Sequence, residues 1–472
     1  MRNFALFICL AFATSAWAQE TRLGADFRGE GERFTSGCSG FSFGHIASCA
    51  QVLFTDHPLH IAVGSMAPQN GVGFGPAFVY HWTPNESWRI NWDLDAVAST
   101  NQSWRAGAYM TAVWTHHRGI VARPGGSPAA RRAKVTVQEF PTFHLYAEGT
   151  SLNKLSYFGL GPSTSDTARS YYGMTESIVG ANVVWPIFKR FNVSLYGEAN
   201  GRFVDIRGLH GQSSPSIGQI YTPATAPGLL NQPAFAQFGQ GIQIRPTFVK
   251  DYVRLNYLVN FQEYVSSGNA NSFRRFTADL KHQFALYQNT RSLLPQVYNG
   301  PDDCSSDLLD PMHKCPPLMP PPPPGKTRNL EGSINVELRI TESIVSGGNV
   351  VPFYFQPTLG GSDINGNPAL SSYQDYRFRA PNAILFRAGI EHSIYKWPIG
   401  VTAMIDEGKV ALRRDDIDFT HLRHSYSAGL TLRAGGFPLV YILFSWGGNE
   451  GMHTNARMDS SLLGASSRPS LY

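Results

Sequence analysis

Residues 191–202 read Phe191-Asn192-Val193-Ser194-Leu195-Tyr196-Gly197-Glu198-Ala199-Asn200-Gly201-Arg202. In extended backbone, successive side chains point to opposite faces. One face then carries Phe191, Val193, Leu195, Gly197 and Ala199; the other carries Asn192, Ser194, Tyr196, Glu198, Asn200 and Arg202. The alternation recurs over stretches of about ten residues, the length of a membrane-spanning strand. Val253, Leu255, Tyr257, Val259 and Phe261 oppose Arg254, Asn256, Asn260 and Gln262. Val336, Leu338 and Ile340 oppose Glu337, Arg339 and Thr341, and Trp88, Ile90, Trp92 and Leu94 oppose Arg89, Asn91, Asp93 and Asp95. A soluble sandwich alternates as well. Here the runs are long and connections alternate short and long. Aromatic residues gather at strand ends (Trp82, Trp88, Trp114, Trp185, Tyr264, Tyr287, Tyr395, Trp397, Trp446), as interfacial girdles require. The expectation is an all-β transmembrane antiparallel barrel.

The N-terminus agrees with export. Arg2, an apolar run from Phe4 to Ala13 and Ala16-Trp17-Ala18 form a signal peptide over residues 1–18, too short to span a bilayer as a helix. Composition is 42% hydrophobic, 12% aromatic and only 15% charged, which is wrong for a disordered chain. The formal charge of +5 comes without a basic stripe interleaved with stacking aromatics, so nucleic acid is not an expected partner. Cys38 with Cys49 and Cys304 with Cys315 form two local pairs of equal spacing. In an oxidising periplasm these are disulfide candidates, with zinc as the alternative.

Alternation and turn signals predict sixteen strands, the first near residue 71. Residues 19–70 are then a short periplasmic extension or plug, and 71–472 the barrel. An even count places both termini in the periplasm. Expected surface loops are 118–133, 207–232, 344–382 and 412–421; expected periplasmic turns include 100–102, 150–154, 187–189, 247–250, 396–398 and 435–437. Residues 288–328 break the pattern as a long periplasmic insert containing Cys304, Cys315 and the proline run Pro316 to Pro324, read either as inert or as a docking arm. Pro76 falls in the predicted first strand. Proline cannot donate to a central ladder, so it marks the seam between first and last strands.

The most specific pattern lies in residues 351–410: Gln356-Pro357-Thr358-Leu359-Gly360-Gly361, then Leu370-Ser371-Ser372-Tyr373-Gln374-Asp375-Tyr376-Arg377-Phe378-Arg379, then Glu391, then Ile405-Asp406-Glu407-Gly408. This resembles the bacterial surface antigen family, the BamA- and TamA-like barrels that assemble outer-membrane proteins. The resemblance implies a sixteen-strand barrel whose long sixth surface loop folds towards the lumen. It also implies a loop motif at Tyr373, Asp375, Arg377 and Arg379, anchored by Glu391 and Asp406. The family's motif Arg-Gly is replaced by Ser371-Ser372, so Arg377 or Arg379 is expected to pair with Asp406. The family's periplasmic polypeptide-transport-associated (POTRA) domains have no room before the barrel.

Function is read as outer-membrane protein or lipid insertion or translocation, without cofactor or metal. The alternatives are a passive solute pore and, as a minor reading, an outer-membrane hydrolase. No G-x-S-x-G or H-E-x-x-H motif is found. Expected partners are outer-membrane lipid and lipopolysaccharide, unfolded client proteins and periplasmic factors. Arg118, Arg123, Arg131, Arg132 and Lys134 are either a solvated loop or contacts for lipopolysaccharide phosphate. Asp363-Ile364-Asn365-Gly366-Asn367 hints at a calcium loop but reads better as a tight turn.

Overall fold

The computed structural model describes residues 59–115 (save 86), 140–286 (save 189–190, 210–213, 250–251 and 269), 288–291, 325–328, 332–394, 399–434, 437–458 and the isolated positions 28, 32 and 35. Sixteen strands follow one another: β1 (Leu59–Ser65), β2 (Val72–Asn85), β3 (Trp88–Ser99), β4 (Trp104–Trp114), β5 (Thr142–Tyr157), β6 (Ser170–Phe188), β7 (Val193–Gly208) and β8 (Phe235–Ile244). Then come β9 (Val253–Ser266), β10 (Phe273–Ala285), β11 (Gly332–Ile344), β12 (Asn382–Ser393), β13 (Ile399–Ala411), β14 (Arg423–Ala434), β15 (Phe437–Gly448) and β16 (Gly451–Met458). Each pairs antiparallel with the next. The first and last strands come within 8 Å between Cα atoms, which closes the sheet into a barrel.

Burial is inverted relative to a soluble protein. Val179, Leu195, Phe203, Phe238, Ile242, Ile390, Ile405, Leu430, Ile442 and Phe444 are exposed on the outer face. Glu148, Glu176, Asn200, Arg202, Asn260, Arg275 and Asp406 are buried on the inner face. Such an outer face is stable only against hydrocarbon, where strands survive because neighbouring strands pair one another's backbone groups. At the ends of β3–β6 the rings of Trp88, Trp114, Phe143 and Trp185 pack with centroids 5.8–6.3 Å apart, an interfacial belt. No helix among the described residues is long and apolar enough to cross a membrane. The chain is a β-barrel of the bacterial outer membrane.

The strand count matches the expectation, but two local readings fail and cancel. The first strand is Leu59–Ser65, not a strand near 71, so it lies within the segment expected to be an extension. It was missed because its described span is only seven residues and carries Ala62 and Gly64 on its inner face. Conversely, strands expected near 134 and 155 are one strand, β5, and residues 150–154 are not a turn. The polar Asn153-Lys154 that suggested a turn is a bulge, with two residues opposite Gly173. Their N–H groups are taken by Ser103 Oγ (2.9 Å) and Asn70 Oδ1 (3.1 Å). The bulge changes the parity of the strand and turns Leu155 and Tyr157 inward, both fully buried.

The correction reverses the sense of the first hairpins. The connection 100–103 lies at the same end as 66–71, 158–169, 209–234, 267–272, 345–381, 412–422 and 449–450, the end that holds most of the expected surface loops and is called the surface end. The connection 115–141 lies at the other end with 86–87, 189–192, 245–252 and the insert. Arg118, Arg123, Arg131, Arg132 and Lys134 lie outside the described residues. So do the signal peptide, Cys38, Cys49, Cys304 and Cys315. The expected insert is framed by a two-stranded ribbon, Gln288–Arg291 with Gly325–Arg328.

Pro76 sits in β2, one strand inside the seam. Its ladder to β1 is continuous through Ile61, whereas the ladder to β3 skips Gly75 and Pro76. The missing donor shows on the inner side of the first hairpin, not at the edge.

If the outward face meets hydrocarbon, Val179→Arg at the middle of β6, where the side chain is 57% exposed, should cost about 2–4 kcal/mol of folding stability in lipid vesicles. A urea titration of vesicle-embedded protein checks this. An unshifted midpoint would contradict the assigned face.

Candidate functional site: the sixth surface loop

Residues 345–381 connect β11 to β12 and form the sixth connection at the surface end. From Val351 to Ala380 nearly every residue is buried. The loop runs across the barrel mouth. It starts with an aromatic 3-10 turn, Phe353–Phe355. Phe353 packs edge-on against Tyr157 (5.2 Å) and Tyr172 (5.1 Å), on β5 and β6. Phe355 packs against Phe235 (5.0 Å) and Tyr264 (5.4 Å), and Tyr264 stacks on Phe273 at 4.4 Å. Each such ring pair adds about 0.5–1.5 kcal/mol beyond area burial. Tyr264, expected in a girdle, instead faces inward and receives the loop.

Two arginines hold this turn by its carbonyls. Arg275 of β10 donates to the Phe355 carbonyl and lies over the Tyr264 and Phe273 rings. Arg379 donates to the Phe353 carbonyl (2.6 Å) and to the Tyr172 hydroxyl (3.2 Å). The loop also binds neighbouring surface connections through backbone bonds from Val350 to Ala270, Phe353 to Pro227 and Gly161 to Arg379. Tyr376 donates its hydroxyl to the Pro68 carbonyl at 3.0 Å.

The second half crosses to the opposite wall. Ser372 donates its N–H to Ser425 Oγ on β14 (2.8 Å), and Asn455 of β16 donates to the Ser371 carbonyl (3.0 Å). Tyr373 and Phe378 pack with Leu359, Leu385 and Val410. Ser371 and Ser372, where the resemblance placed an Arg-Gly, are therefore fully buried contacts to these strands. Arg377 pairs with Glu450 in the last surface turn and donates to Thr164 (2.7 Å to Oγ1, 2.6 Å to the carbonyl).

Gly360 and Gly361 make the fold of the loop possible. Both have positive φ (116° and 59°), and a Cβ would lie 2.5 Å from Arg377 Cβ or 2.2 Å from Asp375 Oδ1. Asp375 accepts from the Ser362 N–H at 3.2 Å. Burial raises its carboxyl to about 6, an effect that the Ser362 and Gln69 hydrogen bonds partly oppose.

The expected pairing of Arg377 or Arg379 with Asp406 is not made. Asp406 is buried and accepts from Arg387 Nε at 2.7 Å, an arginine on the neighbouring β12. Cross-strand register puts Arg387 directly opposite Asp406, whereas Arg377 and Arg379 sit at the mouth. Glu391 lies opposite Thr402, further towards the periplasmic end, and is not brought to the loop motif. Sequence reading missed the partner chemistry of Arg339. Its Nη1 lies 3.3 Å from Asp363 Oδ2 of the loop. Asp363 also caps the tight turn by accepting from Asn367 N (2.8 Å), so the turn expected there is present. Arg339 belongs to an inner-wall series of alternating charges: Asp279, Lys281, Glu337, Arg339, Arg387 and Asp406.

Comparison with known proteins gives no matching family model and no matching curated protein. Solved structures similar to the chain include CdiB from Escherichia coli (11% identity, TM-score 0.48, 85% of this chain and 62% of that one). They also include CdiB from Acinetobacter baumannii (8%, 0.44, 85% and 59%) and BamA from Haemophilus ducreyi lacking POTRA domains 1–3 (9%, 0.44, 85% and 68%). The chain spans about three fifths of the CdiB chains it matches.

Gly360→Ala should release the loop while leaving the barrel folded, because strain falls on the loop backbone alone. Limited proteolysis within 345–381, beside unchanged heat-modifiable gel mobility, is the expected result. A carboxyl whose folded value of about 6 exceeds its ordinary 3.8 favours the docked loop when protonated. Docking should weaken as pH rises from about 4 to 6, the window set by those two values. Loop protection should therefore be greater at acid pH, and Asp375→Asn should abolish the difference.

Proposed function

We propose that this chain is an outer-membrane barrel of the bacterial surface antigen type, acting in insertion or translocation of protein or lipid at the outer membrane. The observation that carries this reading is the sixth loop. It is folded into the mouth and bound to strands on opposite walls, an arrangement suited to holding lumen shape and not to free passage of solute. The seam supports it too. Over the described residues β1 covers Leu59–Ser65 and β16 covers Gly451–Met458, both shorter than the strands they pair with. Among the described residues no hydrogen-bonded register joins them. Such a seam can part at low cost while the other strands stay paired. The mechanism is mechanical and uses no covalent step or cofactor. The interacting species would be outer-membrane lipid with lipopolysaccharide at the outer rim, unfolded clients and periplasmic factors.

The passive-pore reading has one observation in its favour, the series of alternating charges on β10–β13. Two measurements separate the readings. Proteoliposomes containing the protein should accelerate folding of a urea-denatured barrel client relative to empty liposomes. Planar-bilayer recordings should show a mostly closed, flickering state. Steady, ion-selective conductance without acceleration of client folding would instead favour the pore.

A further inference from the structure

The loop meets the spanning strands through ring packing and through hydrogen bonds that involve a neutral group, and its pair Arg377–Glu450 joins it to a surface turn. Arg339–Asp363 is different, because it is an ion pair between the loop and the inner face of a spanning strand, five residues in from that strand's surface end. Asp363 is only 2% exposed. Breaking a buried ion pair is normally costly because one charge is left alone. That cost is reduced here by the wall. Arg339 Nη2 lies 2.9 Å from Glu337 Oε1 and 3.6 Å from Asp279 Oδ2. If Asp363 departs, Arg339 keeps two carboxylates. Asp363 moves into water and keeps Asn367, which bonds both its oxygens.

We propose, building on the reading of the loop above, that Arg339 is the positioning residue of the sixth loop. Its pair with Asp363 is a reversible, salt-sensitive latch that sets how deeply the loop sits. The cation stands on the wall and the anion on the loop, so release leaves both partners satisfied. The latch defines a depth without locking it. A link of this kind weakens as salt screens its exposed side, because Arg339 is 21% exposed although Asp363 is shielded.

The test uses the full mature chain in planar bilayers, with no client. Asp363→Asn keeps an oxygen for the Asn367 N–H and leaves the wall charges intact. It should raise the open fraction roughly tenfold, the factor carried by ~1.4 kcal/mol. Wild type should approach that level when ionic strength is raised from about 0.1 to 1 M, where screening shortens to ~3 Å, while Asp363→Asn should lose this salt response. Asp363→Glu should stay largely closed. Arg339→Gln should open the channel as Asp363→Asn does, and the double variant should open no further than either alone. Should Arg339→Gln fail to fold, judged by heat-modifiable mobility, the two loop-side variants and the salt titration decide. An Asp363→Asn protein as closed as wild type at every salt, or additive effects in the double variant, overturns the latch. An opened Asp363→Asn channel in a protein that accelerates no client folding leaves the latch standing and removes the insertion reading.

Discussion

Hydrocarbon offers a peptide group no hydrogen-bond partner, and the whole chain is organised around that fact. Sixteen strands satisfy one another's backbone, and their side chains are sorted by solvent: aliphatic and aromatic residues outward, carboxylates, amides and guanidinia inward. Several inward groups bind one another. Arg202 and Glu176 pair at 3.0 Å with both side chains almost fully buried, Tyr146 donates to Glu198 at 2.8 Å, and Gln237 bridges Glu198 and Arg202. A barrel of this strand number is too wide for wall side chains alone to fill, and open barrels of similar size hold a water channel. Something else must occupy the mouth.

The sixth loop fills it, and the strands are built to receive it. The inward positions near the surface ends of β5, β6, β8, β9 and β10 are aromatic (Tyr157, Tyr172, Phe235, Tyr264, Phe273), at the very place where a wet lumen would favour polar residues. Without the loop those rings would face water. With it they form one apolar cluster around Phe353 and Phe355. The β5 bulge belongs to the same design, because it is what turns Tyr157 inward.

Much of this was legible in the residues. Alternation from Phe191, Val253 and Trp88 assigned faces that the structure keeps, because period-two patterning is strict wherever two solvents meet the two sides of a strand. The loop region was legible through Gly360-Gly361 and Arg377–Arg379. Three things were not. The strand Leu59–Ser65 is short and small-residued, so it carries little periodic signal. Asn153-Lys154 looks like a turn because a bulge uses turn-like residues, and only the distant acceptors Ser103 and Asn70 distinguish the two. The partner of Asp406 depends on cross-strand register, which places Arg387 opposite it and which no single strand reveals.

That last point separates two charge systems that sequence reading had merged. The loop's own arginines are spent largely on backbone carbonyls and on connections at the mouth: Arg379 on Phe353, Arg377 on Thr164 and Glu450. The wall's charges are satisfied largely within the wall: Arg387 by Asp406 and Glu337, Lys281 by Asp279 and Glu337. Each system is close to self-sufficient. A loop whose arginine filled a bare carboxylate in the wall would be held by the full penalty of exposing that charge. Here that penalty is absent, and packing of the aromatic turn becomes the main force holding the loop in the mouth. Aromatic packing is short-ranged and is lost within a small displacement. The arrangement therefore favours two distinct positions, docked and released, over a graded series between them.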